Sequence, residues 1–429
     1  MTQSKNLEKK PRSVKQLDER LEAIEGEIKE KEEERLPPKT FSHLSLEKLN
    51  EILGLTIKSD NQNKIATFLC MLSAFTDNSQ FNIAFSAPSS SGKSYIPLEI
   101  SKLFPEKSLT ILGHASPTSF YHDTADEEAE KPTVDLERKI IIFLDMPHYE
   151  LLAKLRPILS HDKKEVVVKI TDRGKRKMRT KTITIIGFPS VIFCSANLEM
   201  DEQESTRFLV LSPSTDQEKI RQSIAERIKK ESDNSAYQEW VKSSPERAEL
   251  IERIKYIKAA SIKEVLVSKE IGKKIQDIFL SKSMLKPRYS RDASRLLSLV
   301  KAVALLNLWD KNTKEEGVIQ ADTSDLEEVL VMWKEMSESQ ELNLPPYVLE
   351  IYKTVILPLF TPGIITVLRR EVAKKHYEVF GRPLSDEQIR KQILPMLETA
   401  GLIIQEPDEE DKRNVVIRLA QEPDLAIEM

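Results

Sequence analysis

Phe81 to Ser94 reads FNIAFSAPSSSGKS, and this stretch decides the fold. Asn82 to Phe85 is a short apolar run of the kind that forms a buried strand. Small residues follow, then Gly92-Lys93-Ser94, where a helix is predicted to begin. Ala87, Pro88, Ser89, Ser90, Ser91, Gly92, Lys93, Ser94 and Tyr95 together read as a phosphate-binding loop with the helix start behind it. Backbone N–H groups in such a turn point inward at phosphate oxygens, and the helix start adds its positive end. Lys93 is expected to reach the β- and γ-phosphates of ATP, and the Ser94 hydroxyl to hold Mg²⁺. The usual pattern is G-x-x-x-x-G-K-[ST]. Here Ala87 stands in the first glycine's place, and alanine tolerates positive φ less well. Pro97, just past the first helical turn, predicts a bend. A Ser-rich turn without a ligand is the plain alternative, but strand, loop and helix in this order favour a nucleotide.

Working outward, 429 residues leave room for two or three domains. A hydrophobic content of 40% supports real cores, 31% charged residues suit a helix-rich protein, and 11 glycines argue against a Gly-rich all-β architecture. The net charge of −4 excludes nothing, because 65 basic and 69 acidic residues nearly cancel. Cys70 and Cys194 lie in separate apolar runs and read as core thiols of a reducing compartment. The opening residues MTQSKNLEKKPRS lack an apolar core, and no run approaches a membrane span, so a cytoplasmic location is expected. The six histidines show no ligand spacing, and no metal beyond Mg²⁺ is expected.

Residues 1–38 are highly charged. Val14, Leu17, Leu21, Ile24 and Ile28 repeat at 3-4-3-4 spacing, either a short coiled-coil seam for a protein partner or a solvated helix. Pro37-Pro38 reads as a linker. Two helical patterns between Leu44 and Phe75 precede the loop, the second apolar nearly all round and hence buried. Ser108 to Leu112 reads as a strand, and Thr124 to Leu136 as an acidic surface loop.

Lys139 to Asp145, KIIIFLD, is the second anchor: a central parallel strand whose carboxyl end carries Asp145. In a phosphate-loop enzyme this is the Walker B aspartate that supports Mg²⁺. Met146 follows where a water-polarising glutamate is common. Glu150, the nearest carboxylate, reads either as a substitute base or as an exposed helix-start residue. A helix is predicted over Leu151 to Leu159. Two alternating strands, at about 162–186, then flank TDRGKRKMRTK. From Asp162 to Lys181 nine Lys or Arg face three acidic residues, a net of +6. A solvated hairpin is the plain reading. Phosphate-backbone contacts through Arg173, Lys175, Arg176, Lys177 and Arg179 are the favoured one. PSVIFCSAN then reads as a buried strand ending at Asn197, and Arg207 stands before a further short strand, Phe208 to Leu211.

SAPSSSGKS, IIIFLD, the basic hairpin, FCSAN and ESTRF, in that order, resemble the AAA+ ATPases. They are most similar to the branch with a β-hairpin before the sensor strand, which contains the minichromosome-maintenance and superfamily 3 helicases and related helicase-like ATPases of mobile elements. The resemblance covers roughly residues 45–335. It implies an α/β fold with a parallel-sheet ATPase core over 39–213 and a helical lid over 214–340. It also implies that Lys93 and Ser94 bind phosphate and Mg²⁺, that Asp145 supports the metal and that Asn197 is sensor 1. Arg207 becomes the arginine finger, which serves the neighbouring subunit's nucleotide, although a surface salt-bridge partner fits the same spacing. Arg291 in YSRDASRLLSLVKAVALLN becomes sensor 2, with Arg288 and Arg295 close by. The missing glutamate after Asp145 leaves nucleotide binding better supported than fast hydrolysis.

Residues 345–429 form a third unit. Helical patterns over 347–359 and 364–380 precede Ser385-Asp386-Glu387-Gln388, a capping box opening a helix that Pro395 interrupts. LIIQEP and VVIRLA around DEEDKRN read as a β-hairpin. Three helices and a hairpin resemble a winged helix. Arg369, Arg370, Lys374, Lys375, Arg390 and Lys391 could meet DNA phosphates. The acidic wing turn, Asp408, Glu409, Glu410 and Asp411, favours docking on protein equally.

The leading expectation is a ring-forming, homo-oligomeric (hexameric) ATP-driven DNA helicase or translocase of replication, gripping single-stranded DNA with the hairpin. The alternative is a nucleotide-gated initiator, loader or scaffold with slow or no hydrolysis. A small-molecule phosphoryl transferase leaves the hairpin, Arg207 and the C-terminal unit without roles.

Overall fold

A computed structural model describes residues 36–113, 132–172, 179–196, 207–408, 412 and 414–420. The expected seam between Val14 and Ile28 lies outside them. α1 (Leu46–Leu53) is capped by the Ser45 hydroxyl, which accepts from the Lys48 N–H, and α2 (Asn61–Ser73) follows Asp60. α2 is buried from Lys64 to Ser73, as a helix apolar nearly all round predicts.

The core that follows is α/β. β1 (Asn82–Ser86), α3 (Tyr95–Ser101), β2 (Leu109–Leu112), β3 (Thr133–Asp135), β4 (Ile140–Phe143) and α4 (Tyr149–Leu159) come first. β5 (Glu165–Asp172), β6 (Arg179–Ile186), β7 (Ser190–Ser195) and β8 (Phe208–Leu211) follow. Five of these strands form one all-parallel sheet in the order β2-β4-β7-β1-β8. Successive side chains of a strand point to opposite faces. Ile140, Ile142, Ile192, Cys194 and Leu209 therefore pack on the side of α2, and Ile141, Phe143, Val191, Phe193 and Phe208 on the side of α4. Covering on both faces is why these strands read as continuous apolar runs instead of alternating ones.

The hairpin is present as β5 and β6, paired antiparallel from Glu165–Ile186 to Asp172–Arg179. Its root is anchored, because Ile183 and Ile185 join the core beneath α4. Thr133–Asp135 corrects the expected loop over 124–136. Val134 points into the same core, and the segment pairs in parallel with β6. Pro97 is the third residue of α3, inside the first turn, where its missing N–H leaves no intrahelical bond unmade, and α3 runs on to Ser101.

α5 (Gln217–Ser232), α6 (Asn234–Lys242), α7 (Pro245–Ala259), β9 (Glu264–Val267), α8 (Lys269–Leu280), α9 (Tyr289–Leu306), β10 (Asn312–Glu315), β11 (Val318–Ala321) and α10 (Thr323–Glu341) form the next segment. It is not purely helical: β10, β11 and β9 make a three-stranded sheet. Packing does not break at residue 214, since one hydrophobic core runs from Leu44 through α2, the sheet and α9 to Met336.

The C-terminal unit has its own core, from Leu344 to Ile417. It comprises α11 (Pro346–Ile351), prolonged by a π turn over Tyr352–Ile356, then β12 (Val367–Leu368) and α12 (Arg369–Phe380). α13 (Asp386–Gln388), α14 (Leu394–Thr399), β13 (Ile403–Pro407) and β14 (Val415–Leu419) complete it, with β14 between β12 and β13. The helix expected from residue 364 starts at Arg369. Gly363 at φ +93° and the β-branched run Ile364 to Val367 hold the chain extended before it. The Ser385 capping box forms as read. Pro395 is accommodated by a π turn over Ile389–Ile393 ahead of α14.

Among the described residues no helix is long and apolar enough to cross a membrane.

Candidate functional site

In the order β2-β4-β7-β1-β8, the chain leaves β1 toward the β2 edge and leaves β7 toward the β8 edge. Neighbouring strands with opposite departures define a switch point, and ligands of open α/β sheets bind outside the carboxyl ends there. That crevice lies between Ser86 and Ser195, which are register partners. The loop from Ala87 to Ser94 starts from it, Asp145 stands two residues beyond the neighbouring β4, and Asn197, next to the crevice by sequence, lies outside the described residues.

Within the loop Gly92 takes φ +92° with open space where a Cβ would stand, and Ser90 takes φ +64°. The Ala87 N–H donates to the Ser195 carbonyl at 3.3 Å, so no left-handed glycine is needed where the sequence has alanine. Helical bonding resumes at once, with the Tyr95 N–H donating to the Gly92 carbonyl at 3.0 Å. The Ser91 hydroxyl is buried and has no hydrogen-bond partner among the described residues. An orphaned polar atom inside such a turn fits a loop made to receive an acceptor-rich group.

Lys93, Ser94 and Asp145 converge around Cys194. The Cys194 thiol donates to the Lys93 carbonyl at 3.4 Å, and the Ser94 hydroxyl, the Lys93 ammonium and the Asp145 carboxylate all bear on its ionisation. Burial outweighs the two lowering influences and pushes that thiol up to about 11. Asp145 is exposed and accepts the Met146 N–H at 2.8 Å, while the Met146 side chain packs into the core beneath α4. An apolar residue at 146 thus serves the core. Glu150 is exposed in the first turn of α4. One hydroxyl and one carboxylate suit Mg²⁺, which keeps several waters and takes its other ligands from phosphates. Among the described residues, no three His, Cys, Asp or Glu form a protein-only metal cage.

A cleft of about 1220 Å³ opens beside the loop, between Thr56–Lys58, Ser89–Gly92, α5 and the C-terminal unit. Ile57, Ile96, Ile220 and Ile224 supply its apolar lining. Two cations invisible to motif reading hold the loop's backbone. Lys219 on α5 pairs with buried Asp60 at 2.5 Å and donates to the Ser91 carbonyl at 3.3 Å. Arg382 of the C-terminal unit donates to the Ser89 carbonyl at 3.1 Å. The apolar stripe Ile220, Ile224, Ile228 marks a face of α5 in the sequence, but nothing local pairs Lys219 with residue 60.

Arg207 is not in this crevice. It precedes β8, whose Phe208 is level with Asn82, and its Nε donates to the Ser160 hydroxyl at 2.7 Å. Five residues of β1, roughly 15 Å at about 3.3 Å per residue, separate that level from the loop of the same chain. Arg291 is exposed in the first turn of α9 and does not line the cleft. Arg288 and Arg295 both engage buried Asp292, at 3.0 and 2.9 Å, so they are structural. Arg173, Lys175, Arg176 and Lys177 lie outside the described residues, as does the side chain of Arg179, which opens β6. In the C-terminal unit, Lys375 faces Glu378, Lys391 faces Glu387, and Arg369 lies 3.8 Å from Asp386, so part of its basic surface is neutralised locally.

At the root of the hairpin, His161 takes φ +55° after α4 and meets the Phe188 ring edge-on at 4.8 Å. Burial lowers its pKa to about 4, although Asp162 pulls the other way. The folded state therefore holds the ring neutral while the unfolded chain protonates it near 6.5, so this contribution is complete above pH 6.5 and is lost as pH falls toward 4. Thermal melts from pH 7 to 4.5 are expected to show a steeper fall in Tm for the wild type than for His161→Gln; equal slopes would refute the assignment.

No protein-family model matches the chain, and no match is found among curated proteins.

Proposed function

We propose that the chain is an ATP-dependent, DNA-binding AAA+ ATPase acting as a homo-oligomeric ring, a helicase or translocase of DNA replication. The observation that carries this reading is the insertion of the β5–β6 hairpin, in a small sheet of its own with β3, between α4 and β7 of the unit whose parallel sheet bears the loop and Asp145 beyond its carboxyl ends. Lys93 neutralises phosphate charge, the Ser94 hydroxyl and Asp145 hold Mg²⁺, and Asn197 positions the attacking water. Mg²⁺ supplies charge neutralisation at the phosphates. Residues 214–340 act as the lid and residues 345–429 as a winged helix. Arg207 serves a neighbour's nucleotide, a reading supported by its position at the end of the sheet opposite the loop. The buried free thiols Cys70 and Cys194 suit the reducing cytoplasm.

The second reading is a nucleotide-gated initiator, loader or scaffold. It is favoured by Met146, whose core-facing side chain leaves no carboxylate directly after Asp145. Steady-state ATP hydrolysis with and without single-stranded DNA separates the two. DNA-stimulated turnover supports the motor, ATP binding with negligible turnover supports the switch, and absence of ATP binding overturns both.

If the hairpin tip meets the phosphate backbone, Arg176→Glu with Lys177→Glu weakens binding to single strands of any sequence. The slope of log affinity against log salt then falls by about 2 or more. Unchanged affinity in a fluorescence-anisotropy titration would remove the hairpin from the DNA interface.

A further inference from the structure

The C-terminal unit reaches into the nucleotide cleft. α12 ends at Phe380, and Gly381 turns the chain at φ +63° while its N–H donates to the Tyr377 carbonyl at 2.9 Å. That left-handed cap, which glycine adopts without strain, throws Arg382 across to the phosphate loop. The resulting bond from Arg382 Nη1 to the Ser89 carbonyl joins residues 293 positions apart. Among the described residues the Arg382 side chain makes no other hydrogen bond or ion pair. One of its five donors is thus engaged, while the guanidinium lines the cleft with Gly92 and Lys219.

The backbone that carries Arg382 is fixed from behind. His376 Nδ1 lies 3.0 Å from the Arg382 carbonyl, which can only accept, so Nδ1 bears the proton. Nε2 then accepts from the Tyr347 hydroxyl at 2.9 Å. His376 is wholly buried, and burial holds its pKa below the ordinary histidine range, in keeping with this neutral form. The Tyr347 N–H donates to the Ser212 hydroxyl at 3.1 Å, and Ser212 donates to the carbonyl of Ser86, the last residue of β1, at 2.7 Å. The loop is therefore held at Ser86 and again at Ser89 by one hydrogen-bonded path through the C-terminal unit.

A neutral carbonyl is a modest partner for a guanidinium, whereas a phosphate offers charge and the matching bidentate geometry. We propose that Arg382 senses nucleotide in cis. With a nucleoside triphosphate in the loop it binds a phosphate oxygen, and the position of the C-terminal unit becomes coupled to whether the loop is filled. The inference rests on the nucleotide reading of the loop. A ligand shifts such an equilibrium only through contacts that differ between the two states, and Arg382 supplies that difference.

The test is binding of fluorescent ATP and of AMP to the full chain, with hydrogen exchange followed over residues 376–384. Arg382→Ala is expected to weaken ATP binding about tenfold or more, to leave AMP binding unchanged, and to abolish the ATP-dependent slowing of exchange at 381–384. Glu378→Gln, exposed on the same helix, is expected to behave as wild type. Should Arg382→Ala lose its fold, Arg382→Lys carries the same comparison, because it keeps the charge and loses the fork. Wild-type ATP affinity and protection in the variant would overturn this inference alone. An equal loss for AMP would mark a structural residue and overturn it too. Failure of the wild type to bind ATP would instead overturn the nucleotide reading itself.

Discussion

Lys93→Ala is expected to lower ATP turnover by about 100-fold or more, the scale of removing one preorganised charge donor from a site of developing negative charge. The loop should survive the change. The Lys93 side chain is partly exposed, and its carbonyl, not its ammonium, meets the Cys194 thiol, at 3.4 Å. The loop's shape rests on Gly92, the Ala87–Ser195 bond and Lys219, none of which is altered. Near wild-type Tm with turnover lost is the expected pair of results. Turnover within a few-fold of wild type would mean that the loop does not serve phosphoryl transfer.

Arg207→Ala is expected to be more damaging still, about 1000-fold or more if the residue is an arginine finger supplied by a neighbour. The geometry makes the test sharper than a single variant allows. Arg207 sits just before β8, at the sheet end opposite the loop, so a nucleotide bound in its own chain's loop would be out of its reach. Mixing Lys93→Ala with Arg207→Ala subunits should then regain turnover that neither variant has alone. Each rebuilt site pairs an intact loop with an intact arginine, at about one interface in four of a randomly mixed ring. Absence of recovery, in subunits shown to co-assemble, would reduce Arg207 to the partner of Ser160. Thermal melts of Arg207→Ala control for loss of that bond.

The loop, KIIIFLD and the buried strand ending at Ser195 were legible because each is a local pattern, four or five apolar residues running into a turn. The two strands around the basic tip were legible for the same reason, through alternation. β3 was not, since three residues in an acidic stretch carry too little pattern, and their strand character comes from pairing with β6. The sheet β10-β11-β9 was hidden likewise: β9 and β11 pair in parallel across the 50 intervening positions between Val267 and Val318, and β10 is exposed throughout.

The candidate site divides along the same line. Backbone conformation and strand burial depend on near neighbours, so sequence alone determined that a turn of small residues follows a buried strand and that Asp145 closely follows another. It also determined that Ser385 caps a helix. Which groups surround the loop depends on contacts between segments hundreds of residues apart. Only the tertiary structure placed Lys219 against Asp60 and Ser91 and set Arg207 at the far end of the sheet. It alone brought Arg382 to Ser89. The helix cap at Gly381 could be read from FGRP; its partner could not, because no local rule encodes where a chain returns.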